Sequence, residues 1–281
     1  MYLDENADRL VPLRDETNEH VRSLLFFGLR EWRPKSEKGL SSLLKDFKVL
    51  RVLKVEGLNQ VEVELPSEIG NMVHLRFLSV KESEIKTFPP SLGNLVCLQT
   101  LDFRVSSCTI VIPNVIKKMK QLRHLYLPWE YRAKGKLELS TLGHLQTLDS
   151  LSSEYCDMKH VARLTNLRKL RIGLSSSLQN LEEILKSIGS TLNRIWSLIV
   201  HNDSETNSSE EQAMQIVSSC QGIYKLALVG PIAELPKELP NYPNLTKLEL
   251  CRCGLKEDQM GILKKLPNLT TLRLLFGVRF P

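Results

Sequence analysis

The chain has 281 residues, a formal net charge of +6, and 42% hydrophobic, 25% charged and 6% aromatic content. Balanced charge over so much aliphatic material excludes general disorder, no run approaches the ~18 consecutive apolar residues of a membrane-spanning helix, and residues 1–9 lack the basic and apolar regions of a secretory leader. Six cysteines without a CxxC pair exclude a disulfide scaffold and favour a reducing compartment, while the mildly basic balance suits an acidic partner without demanding nucleic acid.

Fifty-one residues are leucine, about 18% where leucine is ordinarily just the commonest residue, so a repeat is the first thing to seek. In chain order, the template apolar-x-x-Leu-x-apolar occurs at Val21/Leu24/Phe26, Leu50/Leu53/Val55, Leu75/Leu78/Val80, Leu98/Leu101/Phe103 and Leu122/Leu125/Leu127. A weaker copy starts at Leu145/Leu148, where Ser150 and Leu151 stand in place of a clean third site. The template returns at Leu167/Leu170/Ile172, Ile195/Leu198/Val200, Ile223/Leu226/Leu228, Leu245/Leu248/Leu250 and Leu269/Leu272/Leu274. The eleven copies start 22 to 29 residues apart, the interval of leucine-rich repeat units. Alternation over the last half of each template is strand behaviour, so each copy predicts one short strand.

The segments between strands carry their own pattern. Pro66, Pro89, Pro113 and Pro236 each lie nine residues before the next template's first apolar residue, and apolar residues three apart follow them. Proline holds its predecessor extended and favours a helix start after itself, and the spacing of three suits a tight 3-10 turn. Leu178, Leu181, Ile184, Leu185 and Ile188 predict a longer helix in the repeat after Leu167. The polar run from His201 to Ser209 predicts a mobile loop, closed by a capping box, Ser209 with Gln212, that opens a helix to about Ser219. No single unit can bury its apolar face alone, so the fold class is α/β: a leucine-rich repeat solenoid, a curved horseshoe with a parallel sheet on the concave side and short helices, 3-10 turns and irregular segments on the convex side.

Three stretches resemble the leucine-rich repeat region of plant intracellular nucleotide-binding disease resistance proteins of the coiled-coil class. They are the approach from Asp15 to Phe27, the strand from Phe47 to Leu53, and the run from Leu65 to Leu78 that carries Pro66, Gly70 and Leu75. The resemblance spans residues 15 to 276 and implies residues 1–20 as a lead-in from a preceding domain; residues 21–281 carry about eleven repeats, and because the strand from Leu269 to Phe276 is followed by only five residues and no polar cap, the domain is expected to be cut short at the C-terminus. It implies a cytoplasmic module, peripheral to the plasma membrane only through partners. Early repeats would rest on and restrain the parent receptor's nucleotide-binding domain, and the module would sense a protein ligand, either a pathogen effector or a modified host target. No GxxxxGK[ST] phosphate loop is present, so nucleotide binding does not carry over. A stand-alone scaffold or adaptor, such as a ubiquitin-ligase substrate receptor or a signalling scaffold, is the alternative reading.

Catalytic and metal motifs are missing: no HExxH, no G-x-S-x-G, and histidines scattered over different repeats. No enzyme activity, no cofactor and no nucleic-acid partner are expected. Cys253, at position nine of its repeat, is expected to bond backbone at the strand exit. Binding is expected on the concave face, through the residues between the leucines. Its members are Phe77, Lys81, Arg104 and His124; an aromatic knot of Tyr126, Trp129 and Tyr131; and a basic stripe of Lys169, Arg171, Lys225, Lys247, Arg252 and Arg273 facing few acids. Ser79, Asp102, Pro128 and His201 are expected to point outward on the same face.

Overall fold

The computed structural model describes residues 20–27, 44–45, 47, 49–57, 65–85, 87–106, 110–174, 181–202, 207–256 and 258–275. Most of the expected lead-in, Leu178, the centre of the polar run and the chain past Leu275 lie outside the described residues. The chain forms two compact units, Met1–His144 and Leu145–Pro281.

All eleven templates form strands. In the first unit, β1 (Ser23–Phe27), β2 (Val52–Glu56), β3 (Phe77–Ser79), β4 (Thr100–Asp102) and β6 (His124–Tyr126) pair in parallel and in sequence order. Their second leucines align across the sheet: Leu24, Leu53, Leu78, Leu101 and Leu125. Two further strands, β5 (Val111–Ile112) and β7 (Arg132–Ala133), form a separate parallel pair. At two residues each they are too short to show any period in the sequence.

The second unit repeats the plan with β8 (Thr147–Ser152), β9 (Lys169–Leu174), β10 (Ser197–Asn202), β11 (Lys225–Val229), β12 (Lys247–Cys251) and β13 (Thr271–Leu275). The aligned leucines are Leu148, Leu170, Leu198, Leu226, Leu248 and Leu272. The weak template at Leu145 has a physical cause. Leu148 pairs with Leu170, but the next aligned partner of Ile172 is Leu151, so β8 carries one extra residue. Ser150 takes up that residue with φ at 62°, the local bend of a β-bulge, and restores a buried leucine to the third site.

Three of the four prolines act as expected, while after Pro236 the 3-10 turn begins only at Leu239. Pro66, Pro89 and Pro113 sit extended immediately ahead of 3-10 segments Ser67–Asn71, Pro90–Asn94 and Asn114–Lys118. Further 3-10 turns run over Met158–Arg163 and Leu239–Asn241. The helix predicted after Leu167 spans Leu181–Leu192 and buries Leu181, Ile184 and Ile188. The polar run departs from its expected loop. Its first two residues, His201 and Asn202, belong to β10 and are buried, and its last three open the helix Asn207–Ser218, two residues ahead of the expected cap. Here Glu210 fastens the helix to the next repeat, accepting from the backbone N–H groups of Ala233 (2.6 Å) and Glu234 (2.9 Å).

Packing follows the ladder. Leu53, Leu78, Leu101, Leu125, Leu148, Leu198, Leu226 and Leu248 are fully buried, each worth about 1.5–3 kcal/mol of apolar burial. Phe88 and Phe103 stack within the first unit's core at 3.8 Å. Position nine of the repeat closes the strand exit in both units. Ser83 Oγ donates to the Val55 carbonyl (3.0 Å) and Cys253 Sγ to the Leu228 carbonyl (3.5 Å), in each case the sixth site of the preceding repeat. Gly230, with φ at 106°, lets its backbone pass the Asn202 carbonyl, where a Cβ would stand 1.8 Å from the oxygen. On β13, Leu272 is 42% and Leu274 45% exposed.

Leu250→Ala, at a site with no exposure, is expected to cost about 2–5 kcal/mol, and Leu274→Ala no more than about 1.5 kcal/mol because only about half of its surface is withdrawn from water. Urea unfolding measures both, and equal losses would contradict the ladder's layering. Burial pushes the Cys220 thiol up to about 12 and that of Cys253 up to about 11, from 9.0. The folded chain therefore holds protons there that the unfolded chain releases: stability is level below pH 9 and falls as pH rises through that window. Among the described cysteines, thiol labelling at pH 8 is expected to modify exposed Cys97 in the native chain and to reach Cys220 and Cys253 after unfolding. Equal labelling rates at all three in the native chain would refute it.

Candidate functional site

Most side chains between the leucines, at the third and fifth template positions, lie on the solvent-facing side of each sheet, while Ser79, Asp102, Thr147 and Ala227 at these positions are buried. Backbone alternation turns them away from the fourth and sixth sites, whose side chains enter the core.

In the first unit the candidates form two coupled groups. Lys54 lies over the Phe77 ring at 5.3 Å, and its ammonium is 3.6 Å from Glu56, which also accepts from Ser79 Oγ. On the next strands, Arg104 reaches Asp102 in a two-pronged contact, Nε to Oδ1 at 2.9 Å and Nη2 to Oδ2, while its guanidinium covers Tyr126 at 4.6 Å. Paired hydrogen bonds fix the guanidinium plane and make it a firm platform against the ring. Lys81 bonds Glu82 at 2.7 Å. His124 and Tyr126 are half-buried, and Trp129 is 47% exposed.

Burial corrects five of the outward assignments. Ser79, Asp102, Pro128 and His201 are buried, and Tyr131, expected as the third exposed ring, is 6% exposed. Tyr131 directly precedes β7, and its neighbour Arg132 donates its N–H to the Ile110 carbonyl. The secondary strand pair thus fixes the chain there and turns this ring into the core. The aromatic knot reduces to Tyr126 and Trp129.

In the second unit, the basic stripe is present but partly neutralised. Arg171 pairs with Asp149 at 3.1 Å, and Glu249 accepts from both Lys225 (3.0 Å) and Arg273 (3.2 Å). Arg252, at φ 57°, places Nη2 3.0 Å from His201 Nε2. Asp149 is hard to assign to this face from sequence because the β8 bulge obscures its register.

The remaining two lysines reveal residues that the sequence pattern did not single out. Lys169 lies over Trp196 at 5.3 Å and Lys247 over Tyr224 at 5.4 Å, with the two ring centroids 6.4 Å apart. Trp196 is 44% and Tyr224 38% exposed. Both stand at the second template position, directly before β10 and β11, and Tyr224 N–H donates to the Trp196 carbonyl. Aligning that column would have found them, since arginine, glutamine or threonine fills it elsewhere. The Thr246 hydroxyl and the Lys247 ammonium beside the phenol lower the Tyr224 pKa from 10.0. Among the described residues no three His, Cys, Asp or Glu side chains converge on a metal-sized space, and no helix is long and apolar enough to cross a membrane.

Known proteins share this organisation. Residues 20–279 match the leucine-rich repeat region family. Over 97% of its length the chain is 32% identical to the probable disease resistance RPP8-like protein 2 and 35% identical to the probable disease resistance protein RXW24L, both of Arabidopsis thaliana. It spans 29% and 30% of those relatives' own lengths. Among solved structures, the leucine-rich repeat ectodomain of the plant membrane receptor kinase GASSHO1/SCHENGEN3 from Arabidopsis thaliana superimposes with a TM-score of 0.54 at 24% identity, covering 83% of this chain and 28% of that one; this likeness is one of fold. Eleven strands in leucine register, a turn between them that three of the prolines lead, and the family match over residues 20–279 together place this chain in the leucine-rich repeat region family.

Proposed function

We propose that the chain is the non-catalytic protein-recognition module of a cytoplasmic plant disease resistance receptor, acting in the defence response. One observation carries the reading: the leucines that hold the fold and the side chains that meet solvent are separate sets, and the second set is rich in rings and charges. Tyr126 and Trp129 in the first unit are of the types that dominate protein interfaces. The relatives' description as disease resistance proteins supports the setting.

In this reading the early repeats rest on the receptor's nucleotide-binding domain and restrain it, while the later repeats meet a pathogen effector or a modified host protein. Recognition then acts by coupling. A ligand that prefers the released conformation shifts the switch by as much as its affinities for the two states differ, typically about 1–3 kcal/mol, or 5- to 150-fold.

Alanine at both Tyr126 and Trp129 in the full-length receptor is expected to change its signalling, either by weakening the pathogen-triggered response or by raising activity without a pathogen, at unchanged protein level. Leaf-cell death assays with immunoblotting measure both. A receptor that accumulates normally and signals as before in both assays would overturn this assignment of the face.

A further inference from the structure

The second unit carries an ordered row that its neutralised ion pairs do not explain. Lys169 on β9, Trp196 before β10, Tyr224 before β11 and Lys247 on β12 follow one another, one residue per repeat, as cation, ring, ring, cation. Arg171, Lys225 and Arg273 on the same face have carboxylates, and Glu249 is held by two of them. Among the described residues, Lys169 and Lys247 have ring faces as partners and no carboxylate. A lysine over a ring keeps its charge, is held in place, and can still bond an anion from its open side.

We infer that this row binds an extended acidic protein segment laid across the strands, with carboxylates at its two ends and an apolar residue between them. The inference rests on the recognition-module reading and gives its second unit a ligand chemistry. Geometry sets the spacing. From β9 to β12 is three strand steps, about 14 Å at ~4.8 Å each, and an extended peptide rises ~3.3 Å per residue. The two acidic residues therefore stand about four positions apart in the peptide, and the residue midway between them lies over the Trp196–Tyr224 pair. The segment reads acidic-x-apolar-x-acidic. Glu249, two residues from Lys247 on β12, is already paired with Lys225 and Arg273 and adds little repulsion.

The test uses the full chain and fluorescein-labelled synthetic peptides, read by fluorescence anisotropy. The probe has two glutamates four apart with leucine midway and serine elsewhere; a second peptide has the glutamates two apart, and a third has glutamines. The first is expected to bind at least tenfold more tightly than either, with affinity falling as salt rises. Joint Lys169→Glu and Lys247→Glu replacement is expected to weaken it at least tenfold and to restore binding of a peptide with lysines at both ends. Circular dichroism checks the fold of that variant, and the comparison among peptides on the unaltered chain needs no variant. Equal affinity for all three peptides, or no binding of any, would overturn the inference. No binding combined with a signalling defect in the Tyr126 and Trp129 receptor removes this peptide chemistry and leaves the recognition reading intact.

Discussion

Register of the second template leucine is the constraint on which everything else in this molecule depends. A leucine-rich unit of some 22 to 29 residues cannot bury an apolar stripe by itself. It becomes stable by laying that stripe on its neighbour's, and parallel pairing lets this happen only if each leucine meets the leucine before it. Slipping by one residue would turn the leucines to solvent and the lysines inward. The runs Leu24–Leu53–Leu78–Leu101–Leu125 and Leu148–Leu170–Leu198–Leu226–Leu248–Leu272 show that register held through each unit.

The irregular features are ways of protecting the register. The β8 bulge absorbs an extra residue at Ser150 and returns Leu151 to the core. Gly230 admits the backbone where any side chain would strike the Asn202 carbonyl. Ser83 and Cys253 differ chemically but act alike, since each satisfies a buried carbonyl of the previous strand, which would otherwise cost about 1–3 kcal/mol. Because these residues and the leucines hold the fold, the solvent-facing third, fifth and second positions are released from it, apart from buried members such as Ser79, Asp102, Thr147 and Ala227. Recognition can occupy them at small cost, since exposed substitutions usually move stability by no more than ~0.5 kcal/mol.

The strands were legible in the sequence because period and spacing are backbone properties, and even the weak copy at Leu145 could be assigned to its repeat. The site was less legible, for reasons that differ by residue. Tyr131 looked like its exposed neighbour Trp129, but β5 and β7, too short to be periodic, turn it inward. His201 and Asn202 read as loop by polarity, yet β10 continues through them and buries both. The basic stripe was visible, but its neutralisation depends on diagonal pairs such as Lys225 with Glu249, which join different repeats. Trp196 and Tyr224 lie in the template's second column, outside the positions flanking its last leucines where strand alternation predicts an exposed face.

The central claim is that the ladder makes the fold and the intervening positions are free for binding. It is tested most directly by replacing Lys54, Phe77, His124, Lys169, Ser197, Lys225, Lys247 and Arg273 together with threonine, a residue at ease in strands, and measuring urea unfolding. The account predicts an unfolding free energy within about 2 kcal/mol of the parent chain. A loss larger than about 5 kcal/mol, beyond that of one buried leucine truncated to alanine, would show that the exposed positions hold the fold and would contradict the claim.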